Sequence, residues 1–523
     1  MIQESLRKLA TVLTTACLVA SPLTDAFAAK QPNPADSYPT TTPIKHIVVV
    51  FDENISFDHY FATYPYATNP ANESPFVALP NTPRVDNLLS SGLLDENPNS
   101  TQPFRLDRSG AVTCDENHDY GPEQSAIDLG LMDKFPESTG SGGPGCFDAG
   151  MGIGLTMGYY DGNTVTGIWN YAQHYAMSDN HFSTMFGPST VGALNLIGGY
   201  TTGATVISGS AAGDTANGAT TNATIIGDPR PFLDDCHPSS TYVTIENGNL
   251  NVGDLLNSKG YSWGWFQGGF APTSVVHGVA VCGAQSFGLP GIETDYVSHH
   301  EPFMYYPQTA NQHHVPPAAP SLIGTAADTL TNHQYDLNDF WTAVDAGQMP
   351  AVSYIKEKAL YDGHPGNSDP LDEQTGLVNL VNRLQATSEW KSTAIVLLYD
   401  DSDGWYDHAR DLIVNQSNAS DDNLTGPGAC GATPVGGNPG RCGYGMRQPL
   451  LVISPYARQN YVDHQITDQS SVLRFIEDNW GLGRLGNGST DAIAGTLDGL
   501  FDFTSGRKAP KLKLDPTTGL IAP

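Results

Sequence analysis

Ile44-Lys45-His46-Ile47-Val48-Val49-Val50-Phe51 runs without a break into Asp52-Glu53-Asn54. So continuous a run of β-branched residues does not suit a strand wetted on one face, and it predicts one buried on both. Thr393–Tyr399 and Pro449–Ile453 are comparable runs far downstream, with Ala351–Ile355 as a weaker fourth. Helical patterns lie between them. Ile127, Leu131, Met132 and Phe135 recur at helical spacing, as do Val472, Phe475, Ile476 and Trp480 behind the N-cap candidates Asp468 and Ser470. Buried strands alternating with amphipathic helices predict an α/β sandwich around a central, mostly parallel sheet flanked by helices. Two stretches break the rhythm and read as loop or strand insertions, about 201–290, rich in Thr, Gly, Ala and Asn in its first part, and 411–445, polar and Gly-rich.

The 523 residues are 39% hydrophobic and 15% charged, enough apolar material for a large core. Their net charge of −31 repels nucleic acid and anionic membrane surfaces, so neither is expected as a partner. An anionic ligand would have to be drawn in locally, by a metal ion, by histidines or by backbone N–H groups. Residues 1–28 carry the parts of a secretory signal: Arg7 and Lys8, an apolar stretch Leu9–Ala20, and Ala26-Phe27-Ala28 as cleavage site. That stretch is too short and too interrupted to serve as a membrane anchor. The reading is therefore an exported chain, periplasmic or secreted, with an exposed lead-in over 29–42 and a single domain over 43–523. Removing Cys17 leaves Cys114, Cys146, Cys236, Cys282, Cys430 and Cys442, whose clustering suggests disulfides between sequence neighbours.

Hard oxygen ligands stand where two of the predicted strands end: Glu53 and Asn54 after the first, Asp400 and Asp401 after Thr393–Tyr399. In open α/β sheets that edge binds ligands. Carboxylates gathered there repel one another unless a cation lies between them, which points to a divalent metal site; helix N-capping is the alternative reading of the same residues. Gly187-Pro188-Ser189-Thr190 precedes an apolar stretch, so Ser189 is either an N-cap or a nucleophile at a helix N-terminus, where N–H groups hold an anion. His118, His300 and His364 could donate to phosphate and protonate a leaving oxygen.

These segments, in this order, resemble one family. Glu53-Asn54-Ile55-Ser56-Phe57-Asp58-His59-Tyr60-Phe61, Gly187-Pro188-Ser189-Thr190, His299-His300-Glu301-Pro302-Phe303, Asp362-Gly363-His364-Pro365 and Asp400-Asp401-Ser402-Asp403-Gly404 are similar to motifs of the bacterial phosphoesterases that contain phospholipase C and the acid phosphatase AcpA. The resemblance implies an alkaline phosphatase-like fold, a divalent metal held by Glu53, Asn54, Ser189, Asp400 and Asp401, and Ser189 as nucleophile through a phosphoserine intermediate. It also implies that His118, His300 and His364 contact the phosphoryl group of a small phosphate ester or a phospholipid. Phospholipase C members commonly carry Arg where this chain has Ile55, an acid-Glu pair where it has Asp400-Asp401, and further C-terminal domains. These departures point to the acid phosphatase branch, with phospholipase C as the alternative and a non-catalytic metal- or glycan-binding exported protein as a more distant one.

Overall fold

The computed structural model describes residues 32–523 apart from 209–214, 217–222, 237–240, 246–247, 411, 416, 418–420, 426–429, 431–441 and 507. The predicted signal segment 1–28 lies outside the described residues. A nine-stranded sheet carries the fold: β1 His46–Asp52, β2 Ala176–Phe182, β3 Trp263–Gln267, β4 Gln334–Asp336, β5 Val352–Lys356, β6 Thr393–Tyr399, β7 Arg447–Ile453, β8 Tyr461–Asp463 and β9 Thr467–Asp468. The spatial order is β4-β3-β5-β1-β6-β7-β2-β8, with β9 also paired to β2. Pairings are parallel from β4 through β6, while β7 runs antiparallel to both β6 and β2. Every residue of β1, β6 and β7 is buried, so both faces of the sheet are covered, as their unbroken apolar runs require. The expected α/β sandwich is present.

The register does the positioning. Asp52 of β1 pairs with Tyr399 of β6, which sets Glu53-Asn54 abreast of Asp400-Asp401 at the carboxyl edge. Helix 189–198 packs on helix 469–480, which Asp468 caps through its side chain on the Ser471 N–H. Gly192 faces the Asp400 backbone, and an added Cβ would lie 2.8 Å from the Asp400 carbonyl carbon. No side chain but hydrogen fits there.

Several expectations need correction. The stretch 201–290 is not all insertion. Its first part forms a separate five-stranded sheet that includes Thr202–Ser208 and Tyr242–Ile245, but Trp263–Gln267 is a fully buried strand of the central sheet. The helical spacing through Ile127 to Phe135 does not produce one helix. Tyr120–Ile127 is helical, then Asp128, Leu129 and Met132 turn left-handed and leave Leu131 exposed. The lead-in is partly docked: Ala35 is buried, and Asn33 donates to the Met349 carbonyl. Disulfides join Cys114 to Cys146, Cys236 to Cys282 and Cys430 to Cys442, the neighbour pairing that the spacing suggested.

Candidate active site

Ser189 is the first residue of its helix, with Pro188 in the capping position, so its side chain does not cap. Instead Ser189 Oγ donates to Glu53 Oε2 at 3.1 Å and lies 3.3 Å from Asp401 Oδ2, with all three residues buried. The N-cap alternative for Ser189 thus gives way to a hydroxyl pointed at the strand-end carboxylates. Gly187 makes this possible, since its φ of 116° belongs to a region that side chains disfavour.

Asn54 stands next to this pair, left-handed at φ 61°. Its N–H donates to Asp400 Oδ1 at 2.9 Å, and its Nδ2 donates to Asp403 Oδ1 at 3.1 Å. The same Nδ2 meets His364 Nε2 at 3.3 Å and His118 Nε2 at 3.5 Å. Both rings are fixed from behind, with His118 Nδ1 on the Glu116 carbonyl and His364 Nδ1 on the Pro365 carbonyl. Their Nε2 atoms are therefore turned toward the strand-end cluster. His300 stands on a short turn, Ser298–His300, with Nδ1 3.0 Å from Glu53 Oε1 and its Nε2 buried without a hydrogen-bond partner among the described residues. Glu53, Asn54, Ser189, Asp400, Asp401, His118, His300 and His364 thus gather at one edge.

Sequence reasoning missed three residues here. Lys356, the last residue of β5, is fully buried, pairs with Glu53 and lies 3.8 Å from Asp362 Oδ2. Asp403 bonds Asn54 and faces His118 Nδ1 at 3.3 Å. Lys356 closes the weaker fourth predicted strand at the same edge, which was the available signal. Asp362 and Asp403 lie inside motifs already singled out.

Electrostatics follow from this crowding. Burial, then the Asp400 carboxylate, pushes Glu53 and Asp401 well above the usual carboxylate range. Burial also raises Asp362 to about 6. Lys356 resists its own burial because Glu53 and Asp362 hold the ammonium charged, above the ordinary lysine value. Burial opposes the charged form of His118, but Asp401 and Asp115 more than offset it and raise the ring to about 10. His300 goes the other way, held well below its ordinary value by burial and then by Lys356. Two acceptors, Asn54 Oδ1 and Asp400 Oδ2, are buried with no hydrogen-bond partner among the described residues. Oxygen atoms left unpaired among mutually repelling carboxylates fit a hard divalent cation. Glu53, His300 and Asp362 also bring ligand atoms within 4.8 Å of one another.

The profile of the phosphoesterase family matches residues 44–483. The chain is 24% identical over 500 residues to "Phospholipase C B" of Mycobacterium tuberculosis, covering 91% of this chain and 80% of that one. It is 32% identical over 184 residues to "Non-hemolytic phospholipase C" of Pseudomonas aeruginosa, a stretch spanning 33% of this chain and 26% of that protein. Among solved structures, a protein in the alkaline phosphatase superfamily from Vibrio parahaemolyticus matches with a TM-score of 0.30 at 10% identity, covering 76% of this chain and 78% of that one. The match over residues 44–483 takes in both strand ends, Ser189 and the three histidines, and the chain belongs to the phosphoesterase family.

Proposed function

We propose that this chain is a metal-dependent phosphoric ester hydrolase with Ser189 as nucleophile, acting on phospholipids in the manner of a phospholipase C. The observation that carries the reading is the placement of the Ser189 hydroxyl, at a helix N-terminus and within 3.1–3.3 Å of Glu53 and Asp401. Helix N–H groups hold the phosphoryl oxygens there against the acidic field of the molecule. Glu53, Asn54, Ser189, Asp400 and Asp401 would hold the divalent ion, which when bound supplies positive charge that favours the serine alkoxide and neutralises phosphate.

Ser189 Oγ gives its proton toward the carboxylates it already faces and forms a bond to phosphorus, in line with the departing ester oxygen. His118, charged beside Asp401, protonates that oxygen as the P–O bond breaks, and diacylglycerol leaves. His300 and His364 turn ring nitrogens toward the equatorial oxygens. Water then cleaves the phosphoserine ester, releasing the phosphorylated head group and restoring the hydroxyl. The similarity to proteins named phospholipase C supports the phospholipid substrate. The second reading, acid phosphatase action on monoesters, draws on residue differences: Ile55, buried and apolar, stands where phospholipases of this type commonly carry arginine, and Asp400-Asp401 where they carry an acid-Glu pair. The three disulfides suit an oxidising compartment, in keeping with a periplasmic or secreted enzyme.

Ser189→Ala tests the core of this reading. The variant should cleave neither phosphatidylcholine nor an aryl phosphate monoester, and acid-quenched wild type should carry a phosphoryl adduct on Ser189 by mass spectrometry. Hydrolysis by the variant at the wild-type rate would remove the nucleophile. Product analysis on the two substrates separates diesterase from monoesterase.

A further inference from the structure

Two β-hairpins project between β3 and β4: Ser274–Val276 paired with Val279–Val281, and Gln285–Phe287 paired with Ile292–Thr294. Both are pinned to the body. The Cys236–Cys282 disulfide and an Ala280 N–H donating to Asp235 at 3.1 Å hold the first. Lys358 Nζ donating to Ser286 Oγ at 2.7 Å, and the Leu289 N–H donating to Asp372 at 3.1 Å, hold the second. Their outer sides are bare, for Val275, Val276, Val279, Phe287, Leu289 and Ile292 are all exposed, Phe287 at 79%. From Ala271 to Ile292 the sequence has no Asp, Glu, Lys or Arg, and Glu293, in the last strand of the second hairpin, is half-buried, although the chain as a whole carries −31. Anchored apolar faces of this kind mark contact surfaces. A cavity of about 680 Å³ begins at Val279 and Val281 and reaches Ser298 and His299, the residues just before His300. The cavity thus runs from one strand of each hairpin, Val279–Val281 and Ile292–Thr294, to His299, whose ring lies edge-on 4.3 Å from that of His300.

We propose that the two hairpins dock this enzyme on a zwitterionic phospholipid surface and set the cavity mouth against the lipid head groups. This rests on the reading of phospholipid as substrate. Charge selects the surface: the acidic body is repelled by anionic lipid, whereas the exposed valines and Phe287, Leu289 and Ile292 enter a neutral interface while Glu293, the one acid of the two hairpins, stays on the cavity wall. The placement matches the chemistry, since the scissile phosphate of a phospholipid lies at the depth where such side chains stop.

The test uses the full chain and the Val276→Asp/Phe287→Asp double variant, neither position being part of the proposed catalytic machinery. Wild type should sediment with phosphatidylcholine vesicles and less with phosphatidylglycerol vesicles. The double variant should bind phosphatidylcholine vesicles roughly tenfold or more weakly. It should lose vesicle hydrolysis in proportion while cleaving monomeric short-chain phosphatidylcholine at the wild-type rate. Ser189→Ala should bind vesicles as wild type does. Equal vesicle binding by wild type and the double variant would overturn docking, as would a wild type that ignores vesicles. A wild-type dimer that the double variant dissociates would also overturn it, assigning the face to a second copy of the chain. Vesicle binding without cleavage of any phospholipid would keep the docking and sink the substrate reading. Cleavage of monomeric lipid with docking unaffected by the substitutions would do the reverse.

Discussion

Replacing Gly192 by alanine is the smallest change that should disable the candidate site without touching a functional group. The new Cβ would stand 2.8 Å from the Asp400 carbonyl carbon and nearer still to its oxygen. Ordinary carbon contacts lie at about 3.5–4.0 Å, so helix 189–198 or the β6 end must move by about 1 Å. Backbone surrounds the clash on the Asp400 side, so no side chain can swing away. The movement separates Ser189, three residues earlier on the helix, from Asp401, one residue beyond Asp400. A misplacement of that size costs on the order of 100-fold in turnover, and overpacking costs about 1–3 kcal/mol in stability. The assay is kcat on a soluble phosphate ester beside urea unfolding. Gly198→Ala is the control on the same helix: its Cβ meets the Tyr306 hydroxyl at 3.1 Å, a side-chain atom able to give way, so turnover should hold. Wild-type kcat in Gly192→Ala would refute the proposed coupling of helix and strand end.

Three further outcomes follow from the same geometry. Lys356→Met leaves Glu53 and Asp362 buried without their counter-charge, and should lower unfolding free energy by about 3–5 kcal/mol along with activity; a variant as stable as wild type would deny the ion pair its role. Dialysis against a chelator should abolish hydrolysis and lower the thermal midpoint, both restored by a divalent ion, whereas full activity in protein shown free of metal by elemental analysis would exclude the cation site. Away from the site, burial opposes the charge on His408 but Asp58 more than offsets it and raises the ring from 6.5 to about 10. The folded state then holds its proton more tightly than the unfolded one, so this stabilisation is complete below pH 6.5 and fades as pH rises through about 10. Urea midpoints at pH 6 and pH 10 should fall further for wild type than for His408→Leu, and an equal fall would dismiss the pair.

The strands that the sequence reveals are those whose burial is written as continuous apolar runs, β1, β6 and β7. β2, Ala176–Phe182, escapes that reading because it buries Asp179 and His181, each bonded to a distant partner: the Asp86 N–H donates to Asp179, and Thr467 Oγ1 meets His181 Nδ1. Trp263–Gln267 was hidden by the Gly-rich segment around it. The false helix through Phe135 had the right spacing, but Gly130 and three left-handed residues beside it end the helix where periodicity alone would continue it. At the site, the strand-end carboxylates stood out because two buried strands both end in hard ligands, a coincidence that helix capping alone does not explain. The selection of Ser189 and of three histidines among 15 came from the family resemblance. The one signal for Lys356 is its place at the end of a weak strand, and a lysine there looks like any solvated one until its two carboxylate neighbours arrive from elsewhere in the chain.

The cystine pattern has a consequence for biogenesis. Each bond joins a cysteine to the next one along, over 32, 46 and 12 residues. A polypeptide delivered amino-terminus first offers every thiol its own mate before the following couple emerges. Order of appearance alone then selects one of fifteen possible connectivities, and oxidation can keep pace with delivery without later reshuffling.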